Sequence, residues 1–143
     1  MTFSFIDEYV AGSGYPYSVD QIEKMYNNGI TDIVTLTPSS PSSVVKDSGR
    51  PIKVHHFPSL TVPHKDIIST ILNLIEDGKK EGRKFVIHCQ YGQERTGIVL
   101  AAYLERSRNL DKQASIDLLH KLRPISLKSR NSVAYFISLD LND

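Results

Sequence analysis

The sequence predicts an α/β fold: a central, mostly parallel sheet of four to five strands with helices on both faces. Three observations point there. Short runs rich in β-branched and apolar residues occur at 32–36, 52–57 and 84–88, each of strand length. The segments between them carry apolar residues at helical spacing. Alternation of the two requires crossover connections, which make successive strands parallel and place helices over the sheet. At 143 residues, with no repeat, low-complexity tract or linker, the chain reads as a single domain spanning 1–143.

Taken in order, residues 3–6 read as a short strand and 11–16, Ala-Gly-Ser-Gly-Tyr-Pro, as a turn-rich loop. Ser18 and Gln21 form a capping box that opens a helix with Val19, Ile22, Met25 and Tyr26 on one face, closed by Gly29. Residues 32–36 are a strand. Residues 37–50 are rich in Ser and Pro and read as a surface loop. A strand at 52–57 leads into a loop bounded by Pro58 and Pro63. Ile67, Ile68, Ile71, Leu72, Leu74 and Ile75 form a wide apolar stripe on a helix over 66–80. The strand at 84–88 follows. The segment 96–107 is apolar nearly all round, which predicts a central, buried helix. Asp111 caps a further helix that Arg123-Pro124 stops, and a last helix covers 129–139.

Charge and cysteine usage narrow the function classes. A formal net charge of +1 gives no global field for nucleic acid or a membrane surface. His120, Lys121, Arg123, Lys128 and Arg130 fall in one stretch without an acid; the stretch reads either as a solvated helix end or as a basic rim around an anionic ligand. The lone Cys89 excludes an intramolecular disulfide and fits a reducing compartment. No signal-peptide pattern opens the chain, and no apolar run approaches the roughly 20 residues of a spanning helix. The expectation is a cytoplasmic protein. His55 and His56 alternate on a strand, and no spacing suggests a metal site or another cofactor.

The chemistry concentrates in His88-Cys89-Gln90-Tyr91-Gly92-Gln93-Glu94-Arg95-Thr96-Gly97. An apolar run, Phe85-Val86-Ile87, precedes it and another, Ile98-Val99-Leu100, follows it, so the order is strand, loop, helix. Backbone N–H groups at the helix N-terminus favour an anion. A thiolate is itself an anion, so Cys89 is expected to have a depressed pKa. Arg95 adds a planar fork that fits two oxygens of a phosphate. Tyr15, Tyr17 and Tyr91 are candidates to line a pocket for an aryl ring, although each alone is more often packing than recognition.

The pattern His-Cys-x-x-Gly-x-x-Arg-Thr-Gly resembles the signature of cysteine-dependent protein tyrosine phosphatases. The segment 11–17, the helix after it, and Leu122-Arg123-Pro124 are similar to small archaeal tyrosine phosphatases and atypical dual-specificity phosphatases. The resemblance implies that Cys89 is the nucleophile on phosphorus and that Arg95 holds the phosphoryl group. It implies that the backbone of Gln90, Tyr91, Gly92, Gln93, Glu94 and Arg95 binds the phosphate oxygens. Thr96 would donate to the thiolate, and His88 would give structural support. The implied partner is a phosphorylated protein or an aryl phosphate.

Two positions depart from the family. Pro58-Ser59 stands where small relatives carry Pro-Asp, whose aspartate is the general acid. Ser129-Arg130-Asn131-Ser132 offers no match for the glutamine that positions water. The short chain leaves little room for recognition loops, and the shallow pocket this implies admits phosphoserine and phosphothreonine as well as phosphotyrosine. Acid assistance is worth about 10²–10⁴-fold, and a phenolate needs it less than an alkoxide, which favours aryl phosphates. Asp66 is the first candidate for a substitute acid, Glu94 the alternative, and His64 a third. A phosphoprotein-binding module with negligible turnover, and a sulfur-transfer enzyme with a loop thiolate, are the competing readings.

Overall fold

The computed structural model describes residues 2–141; residues 1, 142 and 143 of the predicted 1–143 unit lie outside it. The strands are β1 (Ser4–Phe5), β2 (Val10–Ser13), β3 (Asp32–Thr35), β4 (Lys53–His56) and β5 (Phe85–His88). The helices are α1 (Val19–Asn27), α2 (Ser42–Ser48), α3 (Lys65–Lys80), α4 (Glu94–Arg108), α5 (Lys112–Leu122) and α6 (Arg130–Ser138). The strands form one sheet in the order β1-β2-β5-β3-β4. β1 runs antiparallel to β2, and every other pairing is parallel. The predicted α/β class holds, with five strands.

Side chains on β5 alternate between two cores, as the two-residue strand period requires. Phe85 and Ile87 pack with Ile68, Ile71, Leu72, Ile98, Val99, Leu100, Leu119 and Phe136 on the face covered by α3 to α6. Val86 packs with Ile22, Met25, Ile33 and Val45 on the face covered by α1 and α2. α4 lies deepest: its residues from Thr96 to Leu104 are all buried. It is therefore the rigid element against which the preceding loop is set.

The capping expectations hold at α1, where Ser18 and Gln21 exchange hydrogen bonds with each other's backbone, and at α5, where Asp111 accepts from Ala114 N. Two predicted loops contain regular structure. Residues 10–13 form β2, buried along its whole length between β1 and β5. Its small residues resemble a turn in sequence, but they answer a steric demand: a Cβ at Gly12 would stand 2.9 Å from both Arg123 Nε and Leu100 Cδ1. Residues 42–48 form α2, because Val45 buries itself in the smaller core. Gly49, at φ 70°, ends that helix in the left-handed conformation glycine adopts without cost.

β5 pairs with β2 on one side and β3 on the other. The helices that follow β2 and β3, α1 and α2, cover one face, whereas α4, which follows β5, covers the other, so the carboxyl end of β5 opens into the crevice where α/β sheets bind ligands.

Candidate functional site

β5 ends at His88, α4 begins at Glu94, and residues 89–93 close the gap between them. Gly92 is the pivot of this loop. It sits at φ 72°, and a Cβ there would lie 2.4 Å from the carbonyl carbon of Ser13. Only glycine lets the loop lie so close to the end of β2.

Cys89 is 3% exposed, at the floor of the loop. Burial alone pushes its thiol pKa up. The Thr96 hydroxyl donates to Sγ at 3.1 Å. The backbone N–H groups of Thr96 and Gly92 also favour the thiolate, as does the positive charge of Arg95, and the net shift is downward. The first turn of α4 adds the positive end of its dipole. The expected depression of the Cys89 pKa is present, and its sources are specific donors.

His88 is fully buried. Its Nδ1 lies 3.2 Å from the Cys89 carbonyl and its Nε2 lies 2.8 Å from Thr35 Oγ1. A carbonyl only accepts, so Nδ1 carries the proton and Nε2 accepts from the threonine hydroxyl. Burial pulls the His88 pKa down to about 4, opposed by the bond to the Cys89 backbone and assisted by the charges of Arg95 and His56. The ring is therefore neutral at physiological pH, bridging β5 to β3. Tyr15 packs edge-on against it, with ring centroids 5.3 Å apart.

Arg95 is half-buried and donates through one terminal nitrogen to the Ser59 carbonyl at 2.5 Å. Ser59 in turn donates its N–H to the Leu36 carbonyl at 2.8 Å. The loop after β4 thus reaches the site through the backbone of Ser59. Its hydroxyl is directed to the Phe57 carbonyl at 3.5 Å.

The other expected residues take distinct places. Gln90 donates through its side-chain amide to the Tyr17 hydroxyl, and its carbonyl accepts from Tyr15 N at 3.1 Å. Tyr91 is 72% exposed, and its carbonyl accepts from Thr2 Oγ1. The Gln93 carbonyl accepts from Gly97 N and Leu127 N. Both oxygens of Glu94 accept backbone N–H groups, from Lys128 at 3.3 Å and Ser129 at 2.9 Å. Glu94 therefore anchors the approach to α6. Asp66 lies in the first turn of α3 with an 82% exposed side chain, its carboxylate 3.6 Å from His64 Nδ1. His64 is the cap of that helix and accepts from Asp66 N. Among the described residues, no hydrogen bond or ion pair joins Asp66 or His64 to residues 89–95.

The rings of Tyr15 and Tyr17 lie with centroids 4.7 Å apart at a 37° tilt and line a groove of about 420 Å³ with Thr37, Pro38, Ser39, Val44 and Gln90. Tyr91 lies outside that groove and borders a smaller one of about 230 Å³ beside it. Among the described residues, no group of three or more His, Cys, Asp or Glu side chains is arranged to hold a metal ion. No helix among them is long and apolar enough to cross a membrane.

In sequence, Arg123 stands only as the stop of α5 and as one charge of a basic stretch on a solvated helix end or rim. The side chain is instead 2% exposed and reaches beneath the loop to the Gly92 carbonyl. Its neighbours Lys121, Lys128 and Arg130 are exposed. No spacing in the sequence separates the buried cation from its exposed neighbours.

Comparison with known proteins agrees with this geometry. The profile of the family described as "Dual specificity phosphatase, catalytic domain" matches residues 15–138. The tyrosine-protein phosphatase of Autographa californica nuclear polyhedrosis virus is 26% identical over 87% of this chain and 77% of its own. Dual specificity protein phosphatase 12 of Homo sapiens is 24% identical over 75% of this chain and 32% of its own length. A relative from Invertebrate iridescent virus 3 is 26% identical over 90% of this chain and 57% of its own. The chain thus spans one third to somewhat over half of the length of these last two relatives. The crystal structure of Tk-PTP in the active form superposes with a TM-score of 0.77 at 26% identity, covering 95% of both chains. That of PTPMT1 superposes with a TM-score of 0.80 at 16% identity over 94% of this chain and 90% of that one, a likeness of fold.

Proposed function

Because the chain belongs to the family of dual specificity phosphatase catalytic domains, we propose that it is a protein phosphatase acting on phosphotyrosine through a phosphocysteine intermediate. The observation that carries this reading is the buried Cys89 thiol, held toward its anion by the Thr96 hydroxyl and by the charge of Arg95.

In the first step the Cys89 thiolate attacks phosphorus, the S–P bond forms, and the bond from phosphorus to the phenolic oxygen breaks. The free face of the Arg95 fork holds two phosphoryl oxygens while its other nitrogen stays on Ser59. Backbone N–H groups from Gln90 to Arg95 take the oxygens as the transition state spreads its charge. In the second step water attacks phosphorus and gives its proton to the carboxylate left by the first step, the S–P bond breaks, and the thiolate departs with the Thr96 hydroxyl donating to it.

The leaving oxygen takes its proton from Asp66 in this reading. Asp66 carries a largely exposed carboxylate at the end of the loop that Ser59 brings to Arg95. Glu94 has both oxygens committed to Lys128 and Ser129. Ser59 supplies no acid near neutral pH, so poor leaving groups suffer most and aryl phosphates are favoured. The groove beside Tyr15 and Tyr17 gives an aromatic side chain an apolar wall. A thiolate of this kind requires a reducing compartment such as the cytoplasm.

The test is phosphate release from an aryl phosphate by the wild type, Cys89→Ser and Arg95→Lys. Loss of turnover in Cys89→Ser is expected, with a drop of at least about 10²-fold in Arg95→Lys. Full activity in Cys89→Ser would exclude the mechanism.

A further inference from the structure

Arg123 is a buried cation, 2% exposed, with no carboxylate partner among the described residues. Its guanidinium makes five hydrogen bonds: Nε to Ser4 Oγ at 3.1 Å, one terminal nitrogen to the Gly92 carbonyl and to Ser126 Oγ at 2.8 Å, and the other to the Thr2 carbonyl at 2.7 Å and Thr2 Oγ1 at 3.3 Å. Five is the full donor capacity of the group, so its hydrogen bonding is complete. Its charge is not balanced, because every one of these acceptors is neutral. A buried charge without a counter-ion is costly, and such a residue is retained where an anion is formed or bound nearby.

Arg123 bonds the 89–95 loop at Gly92, and the Cys89 thiolate is the anion whose charge acts on it. We infer that Arg123 is a second cation of the anion site, a positioning residue that acts through the loop and touches neither the thiol nor the phosphoryl group. Two effects follow from the geometry. Its charge favours the Cys89 thiolate from behind. Its bond to the Gly92 carbonyl also orients that peptide unit. The peptide is trans, so drawing the carbonyl toward Arg123 turns the N–H of Gln93 the opposite way, toward the bowl of the loop. Burial lowers the Arg123 pKa to about 10, with the Cys89 charge opposing the shift, so the group is a cation at physiological pH.

The close approach is built into the sheet. Gly12 on β2 leaves the space that the guanidinium occupies. The residue also ties Thr2 and Ser4 to the loop, so the start of the described chain and the α5–α6 connection converge on one peptide.

The inference rests on the phosphatase reading for its purpose, but its test does not need turnover. Among the described residues, the titratable and charged groups around Cys89 are Arg95 and Glu94 in the first turn of α4, His88 on β5, His56 beyond it on β4, and Arg123; the Glu94 carboxylate is held by Lys128 N and Ser129 N. The experiment is the pH dependence of Cys89 alkylation by iodoacetamide, which is uncharged and reports the thiolate directly. The wild type is compared with Arg123→Met and Arg123→Lys, each checked for a cooperative thermal melt, and the affinity for inorganic phosphate is measured by competition against alkylation. Arg123→Met is expected to raise the alkylation midpoint by roughly one pH unit. Arg123→Lys is expected to hold the midpoint close to that of the wild type while weakening phosphate several-fold, because it keeps the charge and loses the fork.

An unchanged midpoint in folded Arg123→Met overturns the electrostatic half of the inference. Unchanged phosphate affinity in Arg123→Lys overturns the positioning half. If Arg123→Met does not fold, Ser4→Asp beside Ser4→Asn replaces it. The carboxylate neutralises Arg123 through Nε, so the Asp variant is expected to raise the midpoint and the Asn variant to leave it; equal midpoints overturn the inference. Failure of Cys89→Ser to abolish turnover, by contrast, would remove the phosphatase mechanism while leaving these alkylation results to stand.

Discussion

Arg95 and Ser59 are joined by a hydrogen bond from the guanidinium to the backbone carbonyl, 2.5 Å long, between the first turn of α4 and the loop after β4. The bond occupies one nitrogen of the fork and leaves the opposite edge for a phosphoryl group. It also brings the backbone of residue 59 to the clamp, on the loop where a carboxylic acid would be useful.

Ser59→Asp is therefore expected to raise kcat on an alkyl phosphate by about 10- to 100-fold, and to do so less on an aryl phosphate. The backbone bonds of residue 59, to Leu36 and Arg95, do not depend on its side chain. A pH–rate profile on both substrates checks this. No gain on the alkyl substrate would mean that residue 59 does not aim its side chain at the leaving oxygen.

Asp66 and Glu94 separate in the same assay. Asp66→Asn is expected to flatten the basic limb of the kcat profile, with a loss of about 10-fold or more at the optimum. Glu94→Gln is expected to leave the shape of the profile unchanged and to lower stability instead, by about 1 kcal/mol, as charge-assisted bonds to Lys128 N and Ser129 N weaken. A flattened limb in Glu94→Gln would reverse the assignment.

Thr96→Ala removes the hydroxyl that donates to Cys89 Sγ. The thiol midpoint is expected to rise, and the second step is expected to slow more than the first, because the thiolate is then the leaving group. Rapid-quench kinetics with an aryl phosphate should show a burst of phenol release followed by a slow steady state. Equal slowing of both steps would contradict the role given to Thr96.

Acid stability tests the support beneath the site. His88 has a folded pKa of about 4 against an ordinary 6.5, lowered mainly by burial. The unfolded chain binds the proton more readily, so the stability from a neutral His88 is complete above about pH 6.5 and is lost as pH falls toward 4. That loss amounts to about 3 kcal/mol. Burial pushes the Asp32 carboxyl up, but bonds from Thr31, His55 and Arg83 and the Arg83 charge outweigh it, and its net shift is downward. Its contribution is present above the ordinary carboxylate range and is lost at still lower pH. Urea unfolding of His88→Gln should show a flatter dependence between pH 6.5 and 4 than the wild type.

The strands at 32–36, 52–57 and 84–88 were legible because their short length and β-branched residues favour a strand over a helix segment. β2 was not, since its Ala, Gly and Ser residues are small for a reason that lies in space: Arg123 and Leu100 press against Gly12. α2 was hidden by the serines around it, and only burial of Val45 shows that the segment pays its ordering entropy by packing.

The nucleophile and its clamp were legible because Cys89, Gly92 and Arg95 share one loop, whose spacing is set by a single strand-to-helix turn. The partners of Arg123 come from three separate stretches of chain, at Thr2 and Ser4, at Gly92, and at Ser126. No one-dimensional spacing carries that convergence. The commitment of Glu94 to the backbone before α6 is invisible for the same reason.

The most direct test of the account is acid quench of the wild-type enzyme during turnover of an aryl phosphate, followed by peptide mass mapping. The account predicts a phosphoryl group on Cys89, increased in Thr96→Ala and absent in Cys89→Ser, which releases no phosphate. Sustained phosphate release by Cys89→Ser, or steady turnover in Thr96→Ala with no phosphoryl group on Cys89, would contradict it.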